Sequence, residues 1–216
     1  EARESIYLET QFFRDPTLSR ALAQSGRDNP ALQLVMVLPA APEDVAFHHA
    51  RSMDARYGEY LQSRAVDRVR EAFGDRALVC SPVRPEALDG TGRDTLAGSP
   101  IIYVHAKVSI FDDTAAIVSS ANLNSRSLNW DTEAGLELTS PDEVRHLRRR
   151  VLQHWLDGTA DEAMISGPDM VAQLAGVIRS NHEAHPEERR GFLVPYNPIP
   201  ARRFGRPVPG IPPEMV

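Results

Sequence analysis

The chain has 216 residues, of which 42% are apolar and 25% charged, with a formal net charge of −6. That is enough apolar material to bury a core, which excludes a disordered tail, and the acidic balance argues against a general nucleic-acid binder with a basic stripe. The lone Cys80 excludes an internal disulfide framework and a cysteine-based zinc site.

The chain starts at Glu1 and enters strand-like "SIYLET" (5–10) almost at once, which reads as part of a longer polypeptide. Asp15-Pro16 supplies an N-cap and a first-turn proline for a helix carrying Leu18, Ala21 and Leu22, with Gly26 as its stop. "LQLVMVL" (32–38) is a continuous apolar run, the pattern of a central strand covered on both faces and ended by Pro39 and Pro42. A polar, mostly helical stretch covers 54–73, "ALVC" (77–80) is a short strand, and 81–100 reads as a long loop. Two strands, "IIYVHAKVSIF" (101–111) and "AAIVSS" (115–120), flank a tight "DDT" turn, and "AGLELT" (134–139) is a third.

Ser140-Pro141-Asp142-Glu143 then opens a helix with a capping box, buried along Val144, Leu147, Val151 and Trp155 and ended by Gly158. A further helix spans 169–180, and a proline- and arginine-rich tail after Pro186 reads as an extension lying on the surface. Strands alternating with helices predict an α/β layered domain over 1–158, with 159–216 as a helical segment and extension. No apolar run approaches a bilayer span, so the expectation is a soluble chain or one peripheral to a membrane, with the compartment open.

Residues two apart on a strand share a face. His105 and Lys107 therefore project together with Tyr103, while Val104, Ala106 and Val108 point into an apolar layer. Imidazole carries protons or attacks near neutral pH, and a lysine is a compact cation for a phosphate oxygen. Ser120 and Asn122 are also two apart, with a hydroxyl and an amide for phosphate oxygens. Glu133, at the start of the next strand, is placed to accept from the His105 ring and orient it. Glu9 and Gln11 share a face and reach the pocket or line a solvated edge; Asn124 and Arg126 border the substrate or stabilise their loop. Asp112 sits at a strand end beside Asp113, where a turn carboxylate is the default. Trp130 reads as cover for the core, Arg148-Arg149-Arg150 as a solvated helix face, and His48-His49 as surface histidines.

The pattern His105-x-Lys107-x4-Asp112, then Ser119-Ser120-x-Asn122 six residues on, resembles the HKD motif of the phospholipase D superfamily. Ser119 stands where that family usually has glycine, which predicts a tighter backbone near the site. "IYLETQFF" (6–13) resembles the segment preceding the second HKD motif of longer phospholipases D. The resemblance runs from about residue 4 to about 157 and implies a layered domain with a mixed, mostly parallel sheet flanked by helices. It also implies metal-free phosphodiester chemistry with no cofactor. Two HKD motifs meet; one histidine attacks phosphorus to form a phosphohistidine, and the other, here His105, protonates the leaving oxygen. Lys107 and Asn122 hold the non-bridging oxygens, and Asp112 tends to be structural.

No other histidine of the chain is followed two residues later by lysine, so this is half a site. Its complement is an upstream half of the same protein or a second copy. The resemblance implies a phospholipid substrate and transient contact with a membrane surface, with nucleic acid not expected; a homodimeric nuclease of the superfamily and a non-catalytic phosphate-binding module stay open.

Overall fold

A computed structural model describes residues 2–215. In chain order the elements are β1 (Ser5–Glu9), α1 (Pro16–Asp28), β2 (Gln33–Val37), α2 (Glu43–Phe47), α3 (Met53–Phe73), β3 (Ala77–Pro82), β4 (Thr95–Leu96), β5 (Ser99–Pro100) and β6 (Val108–Phe111). They continue with β7 (Ala115–Ser119), α4 (Ser125–Asn129), β8 (Gly135–Leu138), α5 (Pro141–Trp155), α6 (Glu162–Ile165), α7 (Met170–Glu183), β9 (Leu193–Pro195) and α8 (Ile199–Phe204). Seven strands form one sheet in the order β8-β7-β6-β1-β2-β3-β9, and β4 pairs with β5 apart from it. The sheet is mixed. β1, β2 and β3 run parallel, joined through helices α1 and α3, and the flanking pairs are antiparallel.

Alternation along β1 sorts the two cores. Ile6 and Leu8 pack with Leu22, Val66 and Val69 from α1 and α3, whereas Tyr7 packs with Leu152, Trp155 and Leu174 from α5 and α7. β2 is buried along its whole length, as its continuous apolar run requires of a strand covered twice. The α/β architecture is thus three-layered, and the catalytic candidates lie at the sheet end where β1 gives way to Thr10 and β6 begins.

Local chemistry explains the element ends. Asp15 caps α1, its carboxylate accepting from the Leu18 N–H at 2.5 Å. Gly26 does not stop this helix, which runs on to Asp28. It instead admits the Phe73 ring, since a β-carbon there would lie 2.4 Å from a ring atom. α3 ends at Gly74, whose φ of 59° favours glycine.

Several expectations are corrected. The strand expected over 101–111 is regular only from Val108; Ile102 to Lys107 run as irregular chain, and Ala106 is exposed rather than turned into the core. The 81–100 segment is not structureless. β3 reaches Pro82, Val83 bridges Ile101, and β4 and β5 form a hairpin about Ala97-Gly98, both at positive φ. Ser140 precedes α5 but its hydroxyl makes no capping bond. Arg148 is 4% exposed, not solvated, and pairs with Asp113 at 2.9 Å. Trp130 is 74% exposed rather than core.

The boundary expected at 158 does not divide the packing. Met164, Ile165, Met170, Leu174 and Ile178 belong to the same core as Tyr7 and Val35. β9 adds to the sheet antiparallel to β3, with Leu193 and Val194 buried, and α8 lies against α3. The tail is therefore structural where the sequence suggested a loose extension. Among the described residues no helix is long and apolar enough to cross a membrane.

Candidate active site

Register brings the motif residues together. Val108 pairs with Val118, and the Ser119 N–H donates to the Lys107 carbonyl at 3.1 Å, so the ladder reaches one residue beyond β6. Ser119 in turn pairs with Gly135, and the Ser120 N–H donates to the Ala134 carbonyl at 2.9 Å. Lys107 and Ser120 thus stand at the ends of adjacent strands, with His105 two residues ahead of Lys107 in irregular chain.

Gly135 answers the Ser119 departure. A β-carbon on Gly135 would fall 2.6 Å from the Ser119 β-carbon, so the serine is accommodated by a glycine across the ladder.

Lys107 is 8% exposed while His105 is exposed. The ammonium donates to the His105 carbonyl at 2.6 Å and to Gln11 Oε1 at 3.3 Å. The Gln11 amide donates to the Tyr103 hydroxyl. Gln11 thus links Tyr103 to Lys107, and the third ammonium N–H has no partner among the described residues. Burial lowers the Lys107 pKa, and the nearby Glu133 carboxylate opposes that shift. Lys107 also lines a cavity of about 210 Å³ whose walls are mostly apolar, among them Leu18, Val108, Phe111, Leu123 and Leu128, and which neither His105 nor Asn122 borders.

The Glu133 carboxylate accepts from the Ser120 hydroxyl, not from the His105 ring as expected. Ser120 Oγ also accepts from the Ala134 N–H at 3.0 Å. Ser120 therefore braces Glu133. Its expected direct contact with a phosphate oxygen gives way to this pairing, and Glu133 Oε1 has no hydrogen bond among the described residues. Asn122 has a buried side-chain oxygen with no partner among the described residues. Rotation of its amide exchanges oxygen for nitrogen, so the position offers either an acceptor or a donor.

Three candidates lie in other roles. Asp112, at φ 48°, accepts from the backbone N–H groups of Arg3, Glu4 and Ser5 at 2.7, 2.9 and 2.7 Å, at the opposite end of β6 from His105. It fastens the start of β1 to the β6–β7 turn. Glu9 is 6% exposed, and one carboxylate oxygen accepts from the Tyr7 hydroxyl at 2.7 Å and the Trp155 indole at 2.9 Å. Those bonds turn it toward α5, although it also lines the small cavity. Asn124 is 6% exposed and caps α4, accepting from Ser127 N–H at 3.0 Å, so its oxygen is spent. Gln11 alone of the upstream pair contacts the motif.

The sequence reading did not assign Tyr103 its link to Gln11, or Trp155 its bond to Glu9. The period-two spacing Tyr103, His105, Lys107 was the available signal for the first. The second joins residues 146 positions apart and left no local trace.

The three-layered sheet and this cluster define a phospholipase D-like domain. The family model described as cardiolipin synthase, PLD-like domain, matches residues 1–155, and the chain belongs to this family within the phospholipase D superfamily. It is similar to phospholipase D zeta 2 of Arabidopsis thaliana, 25% identical over 173 residues, covering 66% of this chain and 16% of that protein. It is also similar to a phospholipase D of Phytophthora infestans, 44% identical over 46 residues, covering 21% of this chain and 2% of that protein. The chain thus spans a small part of the curated relatives it matches. Among solved structures, NucT from Helicobacter pylori aligns over 70% of this chain and 79% of its own, at 14% identity and a TM-score of 0.47. Phosphatidylserine synthase of Haemophilus influenzae aligns over 81% of this chain and 39% of its own, at 18% identity and a TM-score of 0.45.

Proposed function

We propose that this chain supplies one half of a two-motif active site that hydrolyses or exchanges the phosphodiester of a phospholipid. The observation that carries the reading is the state of Lys107: a buried ammonium held by Gln11 and the His105 carbonyl, with one N–H unspent at the end of the sheet where the exposed His105 and the unpartnered Asn122 amide also lie. A fixed cation and an amide beside a proton carrier suit a phosphorus centre that gains charge in the transition state.

In this reading a histidine of the other half attacks phosphorus. The new N–P bond forms as the P–O bond to the leaving alcohol breaks, and His105 gives that oxygen its proton. His105 then takes a proton from water or an acceptor alcohol, whose oxygen attacks phosphorus and releases the first histidine. Lys107 and Asn122 hold the non-bridging oxygens. Glu133, braced by Ser120, has its second oxygen uncommitted for the His105 ring. Asp112 contributes stability alone.

The other half is an upstream HKD half of the same protein, or a second copy. Val118 and Leu136, cross-strand partners on one face of β7 and β8, are 38 and 73% exposed, an apolar patch at the sheet edge. Such a surface is consistent with burial against a second half.

The test measures headgroup release from a phospholipid and nicking of plasmid DNA by the complete protein, beside His105→Ala. Lipid turnover lost in the variant supports the proposal. DNA cleavage lost in the variant supports instead a nuclease of the superfamily, and no turnover of either substrate leaves a phosphate-binding module.

A further inference from the structure

A basic cleft shares no lining residue with the motif, although α2, which contributes Val45 to it, packs Phe47 against Tyr103. It has a volume of about 520 Å³ and is built from three separate parts of the chain: the α2–α3 connection, residues 91–93, and α8 of the tail. His49, Arg51, Arg93 and Arg203 line it, and no carboxylate does, in a chain of net charge −6. Two acids adjoin the lining: Glu59, buried behind Arg93 and paired with it at 2.8 Å, and Asp94, whose carboxylate lies against Gly92. Asp44, on the adjoining α2, acts on Arg14 and Glu59 and does not line the cleft.

The cationic groups are not equivalent. Arg93 is pre-set, its guanidinium held by Glu59 and lying 5.9 Å from the centre of the Phe204 ring. Arg51 and Arg203 are exposed, and among the described residues neither side chain makes an ion pair or hydrogen bond. His49 adopts φ 53°, a left-handed conformation that side chains with a β-carbon disfavour and that persists where the surroundings impose it. The remaining lining includes Val45, Ile199 and Phe204, an apolar floor beside the charges.

A guanidinium presents a planar fork of N–H donors that matches phosphate oxygens two at a time. Two forks unpaired among the described residues, Arg51 and Arg203, and the Glu59-held Arg93 line one cleft of ligand size with an apolar floor, which fits a phosphate group attached to an apolar body. The arginine-rich tail, whose role the sequence left open, supplies Arg203 and the α8 wall. From this arrangement we propose that the cleft between α8 and the α2–α3 connection is a second phosphate-group site, lined by neither His105 nor Lys107. Its ligand is a phospholipid headgroup or a soluble phosphate, and the two share the same recognition chemistry.

The experiment uses the complete chain carrying His105→Ala, so that turnover does not consume the probe, with and without the charge reversals Arg51→Glu and Arg203→Glu. Both reversals are at exposed positions, and thermal melting checks that they fold. Binding is measured to inorganic phosphate, to phosphatidylcholine vesicles containing phosphatidic acid, and to a duplex DNA oligonucleotide. The expected result is at least a tenfold loss of affinity in the reversed protein for phosphate or for the anionic vesicles. Loss in the first arm identifies a soluble ligand and loss in the second alone a lipid headgroup. Unchanged affinity in both arms, no binding in either, or a loss confined to DNA overturns the proposal. The catalytic reading stands or falls separately, because it is read from turnover in protein with His105 intact and Arg51 and Arg203 reversed.

Discussion

Lys107 spends two of its three N–H donors inside the protein, so the third is aimed by its neighbours rather than by a mobile stem. Lys107→Ala is expected to lower turnover by about 10²–10³, the scale of removing one fixed donor to developing charge, and Lys107→Arg will not restore it because the planar fork cannot occupy the same two-point seat. Burial lowers the ammonium pKa, so activity that needs Lys107 charged falls at a pH below the ordinary lysine value of 10.5. Glu133 pushes the other way, and Glu133→Gln should therefore move this alkaline limb to still lower pH. A pH–rate profile of wild type and variant checks both signs. Asp112 makes the opposite case. It binds three backbone N–H groups far from the imidazole, so Asp112→Ala should cost about 1–3 kcal/mol of stability while turnover per folded molecule stays near wild type. A denaturant melt run beside an assay distinguishes the two. His105 and Lys107 were singled out by period-two spacing, yet the chain there is irregular, with Lys107 buried and His105 exposed, so a shared strand face is not what relates them. The true partners of Glu9, Glu133 and Asn124 were not legible, since a carboxylate or amide in sequence says nothing of which donor reaches it first.

At the scale of elements, the sequence separates helices from segments defined by long-range pairing. α1 and α5 carried end signals, of which Asp15 alone makes its capping bond, and α3 and α7 were read without caps; all four form within a few residues of the expected bounds. β9 carried no local signal: three residues between prolines and glycine become a strand only because β3 offers an open edge. Its Leu193 and Val194 are 1 and 0% exposed, each worth about 1.5–3 kcal/mol in burial, and Tyr196 beside them is 2% exposed. Removing residues 186–216 should therefore lower the melting temperature and promote aggregation through the uncovered β3 edge. Thermal unfolding with light scattering measures this, and a truncated chain as stable and monodisperse as the parent would refute it. Cys80 lies on β3 under the same cover, fully buried, and burial first, then Glu9, pushes its thiol well up. It should resist alkylation in the native chain and react on unfolding.

The whole molecule presents one finished face and one unfinished one. The α1–α3 and α5–α7 layers cover the central strands. β8, by contrast, is a sheet edge whose Leu136 is 73% exposed, with Trp130 nearby in the chain at 74%. With a single H-x-K in 216 residues, the motif side of the sheet holds one histidine where the proposed chemistry needs two. The sequence could show that one motif was present, but not which surface meets its counterpart, because an exposed and a buried leucine are spelled alike. The most direct test is the turnover of the 216-residue chain in a sample shown to be monomeric, followed on dilution and after addition of a second HKD-bearing half. The account predicts negligible turnover by the monomer, and a rise that depends on pairing and is lost with His105→Ala. Full turnover by the isolated monomer, unchanged on dilution, would contradict it.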